Sequence, residues 1–561
     1  MRTGVDVKAR RARSLDAAAA AMPDIFDRVA VAILTAVALV AALTFRDYGL
    51  GWDDYTHSQY GDLLLTLYGT GFADRSALSF VNLYMYGGGF DMAAALAAKV
   101  LPFDLFETRR LIGAAVGIVG LLATWRLGRR LGGPLAGLCA LVLLASCPLY
   151  YGHMFMNAKD APFAVAMIVL LLGVVRAIDE YPQPSPRTIV LAGVGLGLAF
   201  GTRILAAVAA PGGLAALVLI LVTESRATGL RATMTRLWQF VWLMLPALAL
   251  AYLIMGLLWP WAILSPANPI LASEYFANFF EKPWRELYEG RLISVPDMPV
   301  SYLLHLFALK LPEIMLAFGL AGTAGAAVAI ARRSVPVNRR AALLMVVLAA
   351  VLPVAVAMVL HPAFYNGLRH FVFVVPPFAV LGGLAAGWLA ARVRALARGK
   401  DALRAYGQVA LAVLFIGGVT LPVIDMVRLH PYQYTTFNWA SGGVRMAHDN
   451  YMLDYWGLAF KQASEGLRAT LDARHETPPA GRRWIVETCG PQRGAEVALG
   501  AQFEVTWERK PADFAMTLGT FYCRDLDAPT LVEIKREGVV YARVYDIRGR
   551  PVPNLLTEPP P

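Results

Sequence analysis

Long apolar runs separated by short basic clusters make up most of the first 425 residues. A bilayer-spanning helix needs roughly 20 largely apolar residues. Eleven runs approach or meet that length: 28–45, 111–127, 132–149, 161–178, 188–202, 204–222, 237–260, 313–331, 341–360, 371–391 and 405–424. The fifth and sixth are short and meet at Gly201-Thr202-Arg203, so a single broken hairpin is the alternative there. Between the first two runs, YTHSQYGDLLLTLYG and GGFDMAAALAAKVLPF carry apolar residues at helical spacing and predict short helices lying in the membrane interface.

From about residue 425 the pattern changes: charges return and the apolar stretches shrink to strand length. RRWIVET (482–488), FEVTWER (503–509), FAMTLGTFY (514–522) and VVYARVYDI (539–547) predict strands, and LDYWGLAFKQASEGLRATL (453–471) predicts an amphipathic helix. The expected fold class is a polytopic α-helical membrane protein with a small C-terminal α/β domain. A basic N-terminus (1–27) precedes the membrane domain (28–429), whose long outer loops are 46–110 and 261–312. An outer α/β domain (430–550) and a disordered tail (551–561) follow.

Composition agrees. The chain of 561 residues is 57% hydrophobic and only 16% charged, whereas soluble domains carry about 25% charged residues. The net charge of +11 is spread over clusters between apolar runs, which is the pattern that orients membrane proteins and not a nucleic-acid surface. Arg10, Arg11 and Arg13; Arg126, Arg129 and Arg130; Arg226, Arg231 and Arg236; Arg332, Arg333, Arg339 and Arg340; and Arg392, Arg394, Arg398, Lys400 and Arg404 all fall on one side if eleven runs cross. An odd count with the N-terminus in the cytoplasm and the C-terminus outside follows. No small-residue cleavage site follows the first apolar run, so it reads as a retained helix. Cys139 and Cys147 lie inside an apolar run and read as small core residues. Cys489 and Cys523 can pair if the C-terminal region faces an oxidising compartment.

This threading puts the unusual polar residues on one face: Asp53, Asp54, His57, His153, Lys159, Asp160, Arg203, His361, Tyr365, Asn366, Arg369 and His370. Ionisable groups at a membrane edge need partners or water, so a shared cavity competes with simple solvation of each residue at a loop. Asp53 and Asp54 are adjacent like charges. One can act as a general base, with its neighbour raising its basicity, or one can orient the other or hold a metal. Asp91, in GGGFD, adds a third carboxylate or a helix N-terminal charge. In NAKDAPF (157–163), Asp160 is a candidate helix cap, while Lys159 and the helix N-terminus favour a phosphate. Arg369, with Tyr365 and His370, offers a bidentate fork for phosphate or an interfacial anchor. Arg203 calls for an anionic partner. His57, His153 and His361 with the acids form a metal candidate set but lack tight HxxxH spacing, so no metal is expected, with a divalent ion left open. A carboxylate base facing a cationic wall suits transfer of a group from a lipid-linked phosphate to a hydroxyl. The alternative is a transporter or lipid flippase, which would carry midplane polar helices and repeated halves; no clear repeat is present.

GWDDYTHSQYG, YYGHMFMNAKDAPF, YEGRLISVPDMPVSYLLHLFALKLPE, YNGLRHFVFVVPP and HPYQYTTFNW followed by LDYWGLAFKQA resemble, in order and placement, the polytopic GT-C glycosyltransferases of the protein O-mannosyltransferase-like group (family 39). The resemblance runs from about residue 50 to 460. It implies a polyprenyl-phosphate-linked sugar donor, a hydroxyl acceptor, and catalysis on the outer face of a bacterial inner membrane, with no metal required in the mannosyltransferase branch. It makes Asp53 the base of a two-acid motif, with Asp54 where eukaryotic members have Glu. It assigns Lys159 and Arg369 to the lipid phosphate, joined by Arg203. His57, His153, Asp160, Tyr365, His370 and Asp91 become substrate-binding candidates. The ligand-binding repeats of eukaryotic relatives are not recognisable, so protein, lipid and envelope-glycan acceptors all stay open.

Overall fold

The computed structural model describes residues 24–277, 284–396 and 401–557. The basic residues Arg10, Arg11, Arg13, Arg398 and Lys400, and the last four residues of the expected tail, lie outside them. Among the described residues, nine helices are long and apolar enough to cross a membrane: Ile25–Asp47, Leu105–Gly132, Asp160–Asp179, Ile204–Thr228, Leu230–Leu258, Glu313–Ala331, Val337–Leu360, Arg369–Leu396 and Ala402–Arg428. The other two expected runs are helical but different. Run 132–149 is broken into Pro134–Ala145 and Pro148–Met156, bent by 64°. Cys147 is extended there (φ −88°, ψ 108°), as the residue before a proline prefers. Run 188–202 forms the 15-residue helix Pro186–Phe200, while the sixth run gains length through a 3-10 segment, Ile204–Ala209. The two are therefore separate elements and not one hairpin.

Asp160–Asp179 is the central helix, packed against Leu105–Gly132 and Pro186–Phe200. Small residues allow the closest approach: a Cβ on Gly195 would stand 2.6 Å from the Leu170 backbone, and one on Gly173 would stand 2.7 Å from Ala192 Cα. Tight packing of this kind supplies the attraction between helices where lipid removes the hydrophobic drive. Leu230–Leu258 turns Trp238, Trp242, Leu248, Tyr252 and Leu253 outward, the face expected to meet acyl chains. Both expected first-loop helices form, at Asp54–Gly69 and Gly89–Ala98.

The 261–312 loop contributes a two-stranded ribbon, β1 (Arg285–Tyr288) with β2 (Arg291–Ser294). The C-terminal domain is a five-stranded sheet of β3 (Trp484–Cys489), β4 (Phe503–Thr506), β5 (Phe514–Leu518), β6 (Thr530–Arg536) and β7 (Val539–Asp546), ordered β4-β3-β5-β7-β6. β3 runs parallel to β4 and β5; β7 runs antiparallel to β5 and β6. The edge strand β6 has no counterpart among the sequence expectations, because TLVEIKR alternates charges with apolar residues over a half-exposed strand. The amphipathic helix begins at Phe460 and ends at Ala473. LDYWG is instead a turn in which the Asp454 carboxylate accepts the amide N–H groups of Gly457, Leu458 and Ala459, each at 3.0 Å.

Cys489, at the end of β3, is disulfide-bonded to Cys523, with Cα atoms 5.8 Å apart. Cys139 and Cys147 are free and buried. The bridge closes a separation of 34 residues, and a loop of that length is worth about 3–4 kcal/mol. Cys489→Ser is expected to speed limited proteolysis within 484–530 by at least tenfold while leaving the membrane domain resistant; equal cleavage rates would contradict this.

Candidate active site

The two adjacent acids of the first loop have different surroundings. The helix Asp54–Gly69 starts at the second of them, with Asp53 as its N-cap residue. Asp54 is buried. Its carboxylate is clamped by Arg110 from the helix Leu105–Gly132, with Nη1 to Oδ1 at 2.9 Å and Nη2 to Oδ2 at 2.5 Å. Oδ2 also accepts Gly51 N–H at 2.7 Å, and Arg110 Nη2 donates to Gly49 O at 2.6 Å. This charge is spent on folding the loop. Asp53 is partly open, its side chain 39% exposed, with Oδ2 3.6 Å from Lys159 Nζ. Partial burial alone would raise its pKa, but the charges of Lys159, then Arg369 and His57, hold it below the usual carboxylate range.

One turn along the same helix, His57 places Nδ1 2.7 Å from Asp91 Oδ2, and Arg109 Nη2 stands 2.7 Å from Asp91 Oδ1. All three are buried. Burial pushes the Asp91 carboxyl up, yet His57 and Arg109 outweigh it and keep the group ionised. Asp91 therefore braces His57 behind Asp53.

Opposite, Asn157 and not Asp160 caps the helix Asp160–Asp179. Its Oδ1 accepts Lys159 N–H at 3.1 Å and Asp160 N–H at 2.8 Å. Its Nδ2 donates to His153 Nδ1 at 3.0 Å and to Asp160 Oδ2 at 2.9 Å, and His153 Nε2 meets Tyr455 OH at 3.1 Å. Arg203 finds its anion: Nη2 lies 2.7 Å from Asp160 Oδ1. The Tyr86 ring faces both cations, with Lys159 Nζ 5.1 Å and the Arg203 guanidinium 5.4 Å from its centroid.

The third wall is the 3-10 turn Arg369–Val374. Arg369 donates through Nε to His370 Nε2 at 3.1 Å and through Nη2 to Tyr365 OH at 3.0 Å, and lies 5.2 Å from the Trp456 ring. Its charge is felt at Asp53 and Asp160. The loop behind it turns through Asn366 (φ 53°) and Gly367 (φ 67°), held by Glu286 on β1. Glu286 Oε2 accepts Asn366 N–H at 2.6 Å, and Oε1 accepts Tyr302 O–H at 2.8 Å. Burial pushes the Glu286 carboxyl up to about 7.

Asp53, Lys159, Asp160, Arg203, Tyr365, Arg369 and His370 thus meet in one hollow. Asp54, His57, Asp91 and His153 sit in its supporting walls. His361 stands apart, with Nε2 2.7 Å from Met298 O, and no group of three metal-ligating side chains occurs among the described residues. Two carboxylates, Asp53 and Asp160, face three cations, Lys159, Arg203 and Arg369, so the hollow holds one positive charge in excess. Below it, the cavity floored by Ala206–Ala210, Phe373 and Pro377 is almost wholly apolar and has a volume of about 210 Å³. Arg203 and Arg369 stand at the head of two of the segments that line it, and the helices Asp160–Asp179, Pro186–Phe200 and Val337–Leu360 line the rest. The sequence reading missed Arg109, Arg110, Asn157 and Glu286. For the arginines the available signal was charge within the first turns of an apolar helix; Glu286 lies on a short ribbon with no such signal.

Residues 90–259 match the family model described as dolichyl-phosphate-mannose-protein mannosyltransferase. That stretch carries Asp91, His153, Lys159, Asp160 and Arg203, and excludes Asp53 and Arg369. No curated protein sequence matches the chain. Among solved structures, the archaeal oligosaccharyltransferase AglB from Archaeoglobus fulgidus, in complex with an inhibitory peptide and a dolichol-phosphate, superposes with a TM-score of 0.50 at 13% identity over 86% of this chain and 65% of that one. ArnT from Cupriavidus metallidurans bound to undecaprenyl phosphate gives 0.46 at 16% identity, over 94% and 99%. The chain thus spans less than two thirds of the archaeal protein. It has a GT-C type membrane fold, and the resemblance to the mannosyltransferase-like GT-C group stands.

Two measurements check this geometry. Removing one partner of a buried ion pair costs about 3–5 kcal/mol, so Asp54→Ala is expected to lower the melting temperature of the detergent-extracted protein sharply, whereas Asp53→Asn leaves it within a few degrees. Equal melting of both variants with the wild type would contradict the division of roles. For Glu286, a folded pKa of about 7 lies above the unfolded carboxyl value of about 4.3. Its contribution to stability is full below the unfolded pKa and is lost as pH rises through about 7. The melting temperature of the wild type should therefore fall relative to Glu286→Gln between pH 5 and pH 8; parallel curves would exclude it.

Proposed function

We propose that this protein is an integral-membrane glycosyltransferase. It moves a sugar from a polyprenyl-phosphate-linked donor to an acceptor hydroxyl, on protein, lipid or envelope glycan, at the periplasmic face of a bacterial inner membrane. The observation that carries this reading is the placement of the partly open Asp53 carboxylate beside Lys159 and within the field of Arg369. The hollow's excess positive charge calls for one more anion, which a donor phosphate supplies. The apolar cavity under Arg203 and Arg369 suits the first isoprene units, and the dolichol-phosphate in the structure of the archaeal oligosaccharyltransferase supports a lipid phosphate for this fold.

In this mechanism Asp53 takes the proton of the acceptor hydroxyl as that oxygen bonds to the anomeric carbon of the sugar. The bond from that carbon to the phosphate oxygen breaks, its electron pair leaves with the polyprenyl phosphate, and Lys159 and Arg369 stabilise the charge that develops there. Lys159 links the two events. It pairs with Asp53; a donor phosphate would share the ammonium and leave Asp53 more basic. Asp160 and Asn157 hold Arg203 and the helix N-terminus in place. The Cys489–Cys523 disulfide suits an oxidising compartment, which supports a periplasmic C-terminal domain.

The test is genetic and chemical. Deleting the gene in its host and comparing envelope glycans and glycolipids by mass spectrometry is expected to reveal one missing sugar mass. The wild-type gene should restore it. Asp53→Asn should reach the same level in membranes yet restore about a hundredth or less, as expected for loss of a general base. Restoration by Asp53→Asn at the wild-type level would reject the assignment. In purified protein, Lys159→Ala and Arg369→Ala should each weaken undecaprenyl phosphate binding about tenfold or more.

A further inference from the structure

Outside the spanning helices, Trp259, Trp456 and Trp484 are buried, whereas Trp52, Trp439 and Trp507 are exposed. Trp439 donates its Nε1 to Asp425 Oδ2 at 3.0 Å. Trp52 and Trp507, 40% and 58% exposed, lie near each other, with ring centroids 6.2 Å apart and planes tilted by 40°. They come from different parts of the fold. Trp52 immediately precedes Asp53 in the first loop. Trp507 follows β4, at the carboxyl end of the parallel pair β3 and β4, and its Nε1 donates to Gly490 O at 3.3 Å. The carboxyl edge of parallel strands is where open α/β sheets bind ligands. Here that edge is docked on the first loop: the Arg493 guanidinium lies 5.3 Å from the Tyr55 ring, and Gly494 packs against Leu50.

Two exposed indoles, one of them adjacent in sequence to the proposed base, need a reason. We propose that Trp52 and Trp507 form a stacking platform for a sugar ring of a carbohydrate-bearing acceptor, which brings one of its hydroxyls to Asp53. This rests on the transferase reading above. Indole offers a large, rigid, apolar face at little entropic cost, and the C–H face of a pyranose is its complement while the ring hydroxyls stay in water. The charges around the pair are of both signs and pair with one another: Arg493 with Glu496, Arg483 with Glu504 at 3.6 Å, and Lys510 with both Glu504 and Glu508 at 3.6 and 3.3 Å. A rim of paired charges favours a neutral sugar over a phosphate or an acidic peptide. The cationic hollow takes the donor, and this aromatic shelf takes the acceptor.

The test uses the full-length protein in nanodiscs and saturation-transfer difference NMR with three neutral probes: maltotriose, chitotriose and mannotriose. Saturation transfer to at least one is expected. Its affinity should weaken about tenfold in Trp507→Ala and in Trp52→Ala, and stay within about threefold in Trp507→Phe, which keeps an aromatic face. Undecaprenyl phosphate binding should be unchanged in all three variants; its loss only in Lys159→Ala and Arg369→Ala separates failure of the platform from failure of the donor site. Transfer to none of the three saccharides, or transfer undiminished in the double alanine variant, would overturn the proposal. So would quenching of these two indoles by headgroup-brominated lipids without any saccharide effect, which would identify them as interfacial anchors.

Discussion

The guanidinium of Arg110 closing on Asp54 is the constraint from which the rest of the site follows. Two neighbouring carboxylates at a membrane edge repel, and the repulsion is poorly screened where water is scarce: charges about 4 Å apart interact by about 4 kcal/mol at an effective dielectric of 20, against about 1 in bulk water. The fold resolves this by giving each acid its own cation from a different element. Arg110 takes Asp54 with both nitrogens and adds Gly49 O, so the first loop is tied to the helix Leu105–Gly132 before any substrate is present. The helix Asp54–Gly69 must then begin at its second acid, which leaves Asp53 outside the helix and turned towards Lys159.

That arrangement sets the electrostatics of the hollow. Arg203 is matched by Asp160 and Lys159 by Asp53, while Arg369 is held by neutral partners, the Tyr365 hydroxyl and His370. An arginine buried against aromatic rings and hydroxyls keeps its charge, because its pKa is too high for it to shed a proton. In the proposed function, this unmatched charge is what draws the donor phosphate. Glu286 acts at a distance from this chemistry: it fixes the left-handed turn at Asn366 and Gly367 and thereby the direction in which Arg369 leaves the loop.

Much of this was legible in the sequence. Hydrophobic run length marks the spanning helices because lipid leaves the backbone few alternatives. The clustering of Asp53, Lys159, Asp160, Arg203 and Arg369 follows from asking which polar residues fall at the same ends of those runs. What stayed hidden depends on contacts between distant residues. Arg109 and Arg110 lie at the end of the expected loop 46–110, just before a run that reads as a spanning helix, and only the fold shows that they point at Asp91 and Asp54. Asp160 looked like a cap, but Asn157 reaches the amides first. The break at Cys147–Pro148 shortens a run whose composition alone suggests an unbroken span, and β6 escapes notice because a half-exposed edge strand needs no apolar pattern.

The account stands on convergence: an acid from the first loop and an arginine more than 300 residues later must meet around one donor headgroup. The most direct measurement is an experimental structure of the protein in lipid nanodiscs with undecaprenyl phosphate. Phosphate density bridging Lys159 and Arg369, with the Asp53 carboxylate on the open side of the phosphate and the isoprenoid running past Phe373 and Pro377, is the result expected. Phosphate density elsewhere, or Asp53 and Arg369 on opposite flanks of the membrane domain, would contradict it.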